Sequence, residues 1–292
     1  MRTQPHLTIF KDYLPQAFLN HHKNLQKLGI VLNVKTGHLF YSKNFEPLKL
    51  NFELVFIRHG ETYGNCGQST PEGVVDHDLV KTGQKNPEQR IFQGEVDTEI
   101  NQLTALGKLQ AEEAAFKLEE TLLSNNWLPD IILYSPLTRA KDTAQPFITR
   151  NNFHGISLVH HGIKEMSFGQ WDNRRVCDFR PTDTCHLFYR DQNALVKSLP
   201  QGESFCDVLE RAYRTLLGLN ASHPNTKIIM FSHSMFGAAC CILLGKGQQI
   251  EKGEYLAFDG KRSNGMSYTM PHATPFHLNV PLPVNKPRAQ LL

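Results

Sequence analysis

The hydrophobic pattern of this chain alternates between short apolar runs and longer amphipathic segments. Apolar runs typical of buried strands occupy positions 54–57, 131–134, 156–159 and 228–231. A segment with helical periodicity follows each run, directly or after a loop. This alternation predicts an α/β fold, a three-layer sandwich in which a mostly parallel central sheet is flanked by helices on both faces.

Two of the predicted helices have recognisable starts. Thr104 precedes a segment in which apolar residues recur at helical spacing, so we predict a helix from about Thr104 to Leu123. Ser204, with Asp207 three residues later, begins another. The sequence is equally compatible with a helix cap and with a phosphate contact at Ser204, and with a turn and a phosphate contact at Asn65.

Three segments depart from the alternation. Residues 1–51 are predicted to be an N-terminal extension, in which two apolar runs around positions 35–37 indicate a β-hairpin. Residues 52–292 are predicted to form the main domain, with insertions near 66–90 and 172–199 that lack any period. Because long loops in a compact domain are usually functional or disordered, we expect these insertions to be walls or lids of a site.

Charge and composition exclude several classes of protein. The chain has 31 basic and 28 acidic residues, and its net charge of +3 is too small to indicate a nucleic-acid or membrane partner. No apolar run approaches the roughly 18 residues of a membrane span. The six cysteines form no CxxC motif, so we expect reduced thiols and a cytoplasmic protein. The oligomeric state is not indicated.

Chemically reactive residues follow three of the predicted strands. The first strand runs into Arg58 and His59, the second is followed by Arg139, and the last runs into His233. Because the carboxyl ends of parallel strands line one crevice, these four side chains are expected to converge.

Two guanidinium groups match the oxygens of a phosphoryl group, and neighbouring arginines keep an imidazole unprotonated and nucleophilic. His59, at a tight turn, is therefore the candidate nucleophile. Glu165 is the favoured proton donor for the leaving oxygen, and Glu61 is the competing carboxylate. Histidines 21, 22, 160 and 161 lack metal-ligand spacing, and we interpret them as surface residues.

Six ordered blocks carry a family resemblance: RHGET followed by Asn65, FQGEVDTEINQLTALGKLQA, SPLTRAKDTA, EMSFGQWD, PQGES and FSHS. Together they resemble the histidine phosphatase superfamily, also called phosphoglycerate mutase-like, from about Phe52 to Met270. The resemblance implies an α/β sandwich fold and a phosphohistidine intermediate on His59, without a metal or organic cofactor. It implies catalytic roles for His59, Glu165 and His233, and phosphate-binding roles for Arg58, Asn65 and Arg139.

Departures from the family pattern narrow the assignment. Ser234 follows the second histidine, where the acid phosphatase and phytase branch carries Asp, and this favours the branch that uses Glu165. Tyr63 and Gly64 precede Asn65, where mutases commonly carry Trp. The chain is thus most similar to fructose-2,6-bisphosphatase-like and broad phosphatase members, and we predict a phosphomonoesterase that acts on a small phosphorylated metabolite.

Three other functions compete with this prediction. A phosphoglycerate-type mutase would use the same residues but must hide the phosphoenzyme from water. A serine hydrolase could be built on Ser234, although Phe236 would crowd the sharp turn that its nucleophile requires. An inactive phosphate-binding or scaffold protein could share the fold.

Overall fold

The computed structural model describes most of the chain between residues 19 and 279. The described ranges are 19–66, 90–122, 127–180, 183–189, 191–247, 249–250, 255–258, 262–263, 266–267 and 270–279. Most of the insertion predicted near 66–90, including Lys81 and Lys85, lies outside them, as does the carboxyl-terminal tail.

The strands, in chain order, are β1 (Ile30–Leu32), β2 (Leu39–Tyr41), β3 (Glu53–Arg58), β4 (Ile131–Tyr134), β5 (Ile156–Val159), β6 (Lys227–Ser232), β7 (Gln249–Ile250), β8 (Tyr255–Leu256), β9 (Arg262–Ser263), β10 (Met266–Ser267) and β11 (Pro275–His277). The helices are α1 (19–27), α2 (Tyr63–Cys66), α3 (Ala105–Leu122), α4 (Thr138–Arg150), α5 (Cys185–Tyr189), α6 (Phe205–Ser222) and α7 (Ser234–Leu243). In the described part of the chain, none of these helices has the length and apolar character of a membrane span.

Five strands form the central sheet in the order β11, β3, β6, β4, β5. Strands β3, β6, β4 and β5 pair in parallel, and only β11, at one edge of the sheet, runs antiparallel. The predicted α/β class with a mostly parallel sheet is therefore confirmed. The antiparallel edge strand was not indicated by the sequence, because its three residues PFH are too short to show a period.

Both faces of the sheet are covered by helices because its inner strands alternate their apolar side chains between the two faces. On one face Val55 and Ile229 pack with Ala115 of α3 and Phe147 of α4. On the other face the core contains residues from the sheet, from α6 and from α7: Leu54, Phe56, Ile228, Met230, Leu209, Leu216, Phe236 and Ala239. The sheet is the middle of three layers.

The helix starts follow from local hydrogen bonds. The predicted helix after Thr104 is α3, and the hydroxyl of Thr104 accepts a hydrogen bond from the Gly107 N–H at 2.9 Å. Ser204 is the N-cap of α6, where its side chain and that of Asp207 form a reciprocal capping box. Ser204 thus has a structural role at this helix terminus.

The described part of the N-terminal extension packs on the α6 and α7 side of the sheet. Strands β1 and β2 pair antiparallel, and the Tyr41 hydroxyl donates to the Ile242 carbonyl at 2.9 Å. The interpretation of His21 as a surface residue is wrong. Its ring is buried 2.8 Å from Glu210 on α6, because α1 lies against that helix. The division into an extension and a main domain at residue 51 stays a prediction.

The core of the sheet should respond far more strongly to truncation than the outer face of α3. Replacing Ile229, which is fully buried on the central strand β6, by Ala should lower the free energy of unfolding by about 2–5 kcal/mol. Leu109→Ala on the exposed face of α3 is the matched control and should change it by less than about 0.5 kcal/mol. Chemical denaturation of both variants measures the difference, and equal effects would contradict this description of the core.

Candidate functional site

The candidate site lies at the carboxyl edge of the sheet, where β3 and β6 end side by side. Arg58, the last residue of β3, is in register with Ser232, the last residue of β6. The next residues, His59 and His233, leave the sheet together, and the His59 N–H donates to the Ser232 carbonyl at 3.0 Å. The parallel register therefore brings the two histidines to the same point.

The ring of His59 has a defined orientation. Its Nδ1 lies 2.7 Å from the carbonyl oxygen of Gly60, so Nδ1–H donates to that oxygen and Nε2 carries the lone pair. Gly60 has no room for a side chain, because a Cβ atom there would lie 2.4 Å from the carbonyl oxygen of Gly107 on α3. The close approach of α3 to this turn thus requires glycine.

The protonation state of His59 suits a nucleophile. Burial, followed by the charges of Arg139 and Arg58 and by His233, holds the pKa of His59 well below its usual range. The imidazole is therefore neutral near neutral pH, and its Nε2 lone pair is available for attack.

Arg139 is fully buried in the first turn of α4. Its Nη2 donates to the Gly94 carbonyl at 2.6 Å, whereas Nε and Nη1 have no hydrogen-bond partner among the described residues. Burial lowers the pKa of Arg139 to about 10, which leaves the guanidinium charged at neutral pH. Buried charged donors of this kind suit a phosphoryl group, whose oxygens accept such hydrogen bonds in pairs.

Arg58 is the second cation of the site. It is half-buried, and its Nη1 donates to the carbonyl oxygen of Met270 at 2.8 Å. Its charge contributes to the low pKa values of both His59 and His233.

His233 faces His59 across the site, with their ring centroids 5.2 Å apart. It is fully buried and is the N-cap residue of α7. Its Nε2 lies 2.8 Å from the Ser135 hydroxyl, directly after β4, and its Nδ1 has no partner among the described residues. Burial and the charges of Arg139 and Arg58 hold the pKa of His233 well below its usual range.

Glu165 binds the amino terminus of α7. Its carboxylate accepts hydrogen bonds from the Ser234 N–H at 3.0 Å and the Met235 N–H at 3.1 Å. Burial raises the pKa of Glu165, and the backbone donors together with Arg139 and Arg58 oppose that rise. Glu165 therefore lies within the electrostatic field of the arginine pair, with a pKa displaced toward that of a proton donor.

Glu61, the competing carboxylate, is held elsewhere. Its Oε1 accepts a hydrogen bond from the Thr104 hydroxyl at 3.2 Å, and its backbone N–H donates to Gln110 of α3. These contacts attach Glu61 to the start of α3.

Two amide side chains extend the site. Asn65 lies in α2, and its buried Oδ1 has no hydrogen-bond partner among the described residues. Gln93, which was not among the residues predicted from the sequence, accepts a hydrogen bond at Oε1 from the Thr62 hydroxyl at 2.6 Å, and its buried Nε2 likewise has no described partner. The sequence did hold an indication, because Gln93 lies in the FQGEV segment of one of the six blocks that carry the family resemblance.

His272 is a third histidine at the site, and it was not among the residues predicted from the sequence. Its ring centroid lies 5.6 Å from that of His59, and its Nδ1 lies 3.0 Å from the His59 carbonyl oxygen. No motif indicated this proximity, because it depends on β11 pairing with β3 from the far end of the chain.

A partly buried ion pair fixes the segment that carries Glu165. Arg211 of α6 makes a bidentate contact with Glu203 and donates to the carbonyl oxygens of Gly162, Lys164 and Glu165. Glu203 in turn accepts the Ser167 N–H at 2.9 Å. The PQGES block therefore holds the EMSFGQWD block in place.

Arginines 90, 174, 175 and 180 lie in the two insertions predicted from the sequence and are the described loop cations nearest in type to a second anion-binding group. Arg175 forms an ion pair with Asp178 at 2.8 Å, and the Arg174 guanidinium lies 4.3 Å from the centre of the Phe179 ring. Arg180 contacts Asp183 through its backbone N–H, and Arg90 is exposed at the start of its described range.

The arrangement around Ser234 does not resemble that of a serine hydrolase. Ser234 Oγ is buried and has no hydrogen-bond partner among the described residues, while the neighbouring His233 bonds to Ser135 instead. A serine nucleophile needs a base within hydrogen-bond reach. Within the same residues, no group of three His, Cys, Asp or Glu side chains is arranged to hold a metal ion.

Comparisons with known proteins identify the family of this chain. The family model described as "Histidine phosphatase superfamily (branch 1)" matches residues 54–269. A curated relative, mannitol-1-phosphatase of Eimeria tenella, is 34% identical over 297 residues, which cover 91% of this chain and 86% of the relative.

Solved structures are similar at lower identity. A mycobacterial glucosyl-3-phosphoglycerate phosphatase is 24% identical with a TM-score of 0.47, covering 64% of this chain and 76% of its own. A phosphoserine phosphatase mutant from Entamoeba histolytica is 22% identical with a TM-score of 0.45, covering 68% and 86%. On the family match and the curated relative, the chain belongs to the histidine phosphatase superfamily, branch 1.

Proposed function

We propose that this protein hydrolyses the phosphate monoester of a small polyol or sugar through a phosphohistidine on His59. The protein is a phosphatase of the histidine phosphatase superfamily, on the family match together with the mannitol-1-phosphatase relative. The observation that carries the assignment of residues is the position of the neutral His59 ring beside the buried guanidinium of Arg139, which has two donors without a described protein partner.

In the first step, the lone pair of His59 Nε2 attacks phosphorus and the ester P–O bond breaks. Arg58, Arg139 and His233 surround the transferred group, and donors held in a buried site stabilise charge in the transition state without reorganising. The Glu165 carboxyl gives its proton to the departing oxygen, which leaves as an alcohol. Asn65 and Gln93 offer amide groups to the phosphoryl oxygens or to the leaving group.

In the second step, the Glu165 carboxylate accepts a proton from a water molecule whose oxygen attacks phosphorus. The P–N bond breaks, inorganic phosphate leaves, and the electron pair returns to His59 Nε2. The hydrogen bond from Nδ1 to Gly60 keeps the ring in one orientation through both steps. The amino terminus of α7 supports Glu165 whenever it carries negative charge.

The substrate class rests on the curated relative. Mannitol-1-phosphatase of Eimeria tenella matches 91% of this chain, a span that extends beyond the region matched by the family model. We therefore propose a hexitol monophosphate as substrate. Among the described loop arginines, Arg175 is paired with Asp178 and Arg174 lies over Phe179, which favours a neutral polyol over a substrate with a second anionic group.

We also propose a cytoplasmic location. All six cysteines lie in the described part of the chain and are free thiols, and Cys206 and Cys240 are fully buried. Reduced thiols are typical of the cytosol.

His59→Ala should abolish turnover, because no other group can accept the phosphoryl in this scheme. Phosphate release from mannitol 1-phosphate measures turnover, and acid-labile labelling of the protein by a ³²P-labelled substrate measures formation of the phosphohistidine. His154→Ala, an exposed histidine outside the site, is the control and should retain both. Undiminished hydrolysis by the His59 variant would disprove the proposed nucleophile.

Glu165→Gln should lower kcat for an alkyl phosphate by about 10²–10⁴-fold, because the leaving oxygen loses its proton donor. The loss should be much smaller in the phosphorylation step with p-nitrophenyl phosphate, whose leaving group needs no proton. Glu61→Gln is the matched control and should have little effect. A larger loss in the Glu61 variant would transfer the role to that carboxylate.

The proposed roles of His59 and Glu165 also predict how the activity depends on pH. The pH dependence of kcat/KM reports the phosphorylation step of the free protein. This step needs a neutral His59, whose pKa is lowered, so the acid limb of kcat/KM should lie below pH 6.5, the usual histidine pKa. It also needs a protonated Glu165, whose pKa is raised, so the alkaline limb should lie above pH 4.5, the usual glutamate pKa. The alkaline limb should disappear in Glu165→Gln.

A substrate panel separates the remaining alternatives. Mannitol 1-phosphate should have a kcat/KM at least about 10-fold above those of glucose 6-phosphate, 3-phosphoglycerate and phosphoserine, measured by phosphate release. Isomerisation of phosphoglycerates without phosphate release would identify a mutase instead. Phosphate binding without turnover of any substrate would identify a non-catalytic protein.

A further inference from the structure

We propose that His272 is a positioning residue for the nucleophile, acting through the peptide unit between His59 and Gly60. This role is supported by the contacts that residues 270–274, here called the carboxyl-terminal strap, make with the end of β3. This inference rests on the proposed role of His59.

The strap reaches the site because β11 is antiparallel to β3. Pro275, the first residue of β11, pairs with Ile57 near the end of β3. The residues before Pro275 therefore run past the carboxyl end of β3, where Arg58 and His59 leave the sheet. A parallel strand at this edge would instead have begun at the opposite end.

Three hydrogen bonds attach the strap to two consecutive site residues. Arg58 Nη1 donates to the Met270 carbonyl at 2.8 Å, and the Ala273 N–H donates to the Arg58 carbonyl at 2.9 Å. His272 Nδ1 lies 3.0 Å from the His59 carbonyl oxygen. Since a carbonyl oxygen can only accept, Nδ1 of His272 carries the proton.

The peptide unit between His59 and Gly60 is held at both of its polar groups. His272 donates to its carbonyl oxygen, and its N–H donates to the Thr143 hydroxyl at 2.9 Å. Thr143 is buried on α4, where its hydroxyl also donates to the Arg139 carbonyl. Two elements on opposite sides of the turn thus fix the plane of one peptide bond.

The orientation of this peptide bond sets the orientation of the catalytic ring. The next carbonyl, that of Gly60, accepts the hydrogen bond from His59 Nδ1 and thereby directs Nε2 into the site. If the preceding peptide unit rotates, the Gly60 carbonyl moves with it. His272 therefore controls the direction of attack, and misplacement of a nucleophile by about 1 Å can cost about 10²-fold in rate.

Asparagine and glutamine distinguish this role from a general packing role. The amide nitrogen of Asn lies where Nδ1 of a histidine lies, so His272→Asn keeps the donor. The amide nitrogen of Gln lies one bond farther out, so His272→Gln keeps a polar side chain of similar size but places the donor elsewhere. His277→Asn, on the same edge strand and opposite Val55, is the matched control.

The experiment measures steady-state kinetics and single-turnover phosphorylation with p-nitrophenyl phosphate. His272→Ala and His272→Gln should slow phosphorylation and lower kcat about 10- to 100-fold, with KM and inhibition by inorganic phosphate changed less than about threefold. His272→Asn should remain within about threefold of the unmodified protein, and so should His277→Asn. If the Ala variant does not fold, the Asn and Gln variants decide the question.

Three outcomes would overturn the proposal. These are full activity of the Gln variant, equal losses in the Asn and Gln variants, or a raised KM with unchanged kcat, which would indicate that His272 contacts substrate. His59→Ala, assayed in parallel, separates the proposed role of His272 from the proposed role of His59 as the nucleophile. If that variant retains turnover, the nucleophile assignment is wrong, whereas its inactivity beside a fully active His272→Gln refutes only the role of His272.

Discussion

The burial of the Arg139 guanidinium is the constraint on which the rest of the site depends. A charged group in a protein interior is costly unless its donors are satisfied, and Gly94 satisfies only one of its nitrogens among the described residues. The remaining donors suit a dianionic phosphoryl group, which carries the opposite charge. Burial, together with the charge of this cation, holds the pKa values of His59 and His233 well below their usual range, and the cation opposes the rise in the pKa of Glu165.

Three elements from distant parts of the chain share this electrostatic environment. The carboxyl end of β3 supplies Arg58 and, directly after it, His59. Helix α4 supplies Arg139, and the β6–α7 junction supplies His233. Each contributes at the point where a regular element begins or ends, so the side chains are set by rigid backbone. Glu165 differs, because it lies in an irregular segment that depends on Arg211 and Glu203 for its position. The position of Glu165 therefore depends on side-chain contacts, whereas that of His59 depends on the sheet.

The architecture also separates binding from chemistry. In the proposed mechanism, the guanidinium groups attract the phosphoryl anion, whereas the orientation of the His59 imidazole and the protonation of the Glu165 carboxyl decide whether it reacts. Hydrogen bonds to backbone carbonyls, such as that of His59 to Gly60, fix the ring tautomer independently of any ligand. The site is thus largely preorganised by the fold.

The sequence by itself determined the α/β class, the starts of α3 and α6, and the convergence of Arg58, His59, Arg139 and His233. These features depend on local periodicity, on caps and on the rule that parallel strands end at one edge, all of which are readable from neighbouring residues. Only the tertiary structure placed Glu61 against Thr104, buried His21, and brought His272 beside His59. Those contacts join residues whose separation in sequence carries no period, so the pairing of β11 with β3 and the packing of α1 and α3 decided them.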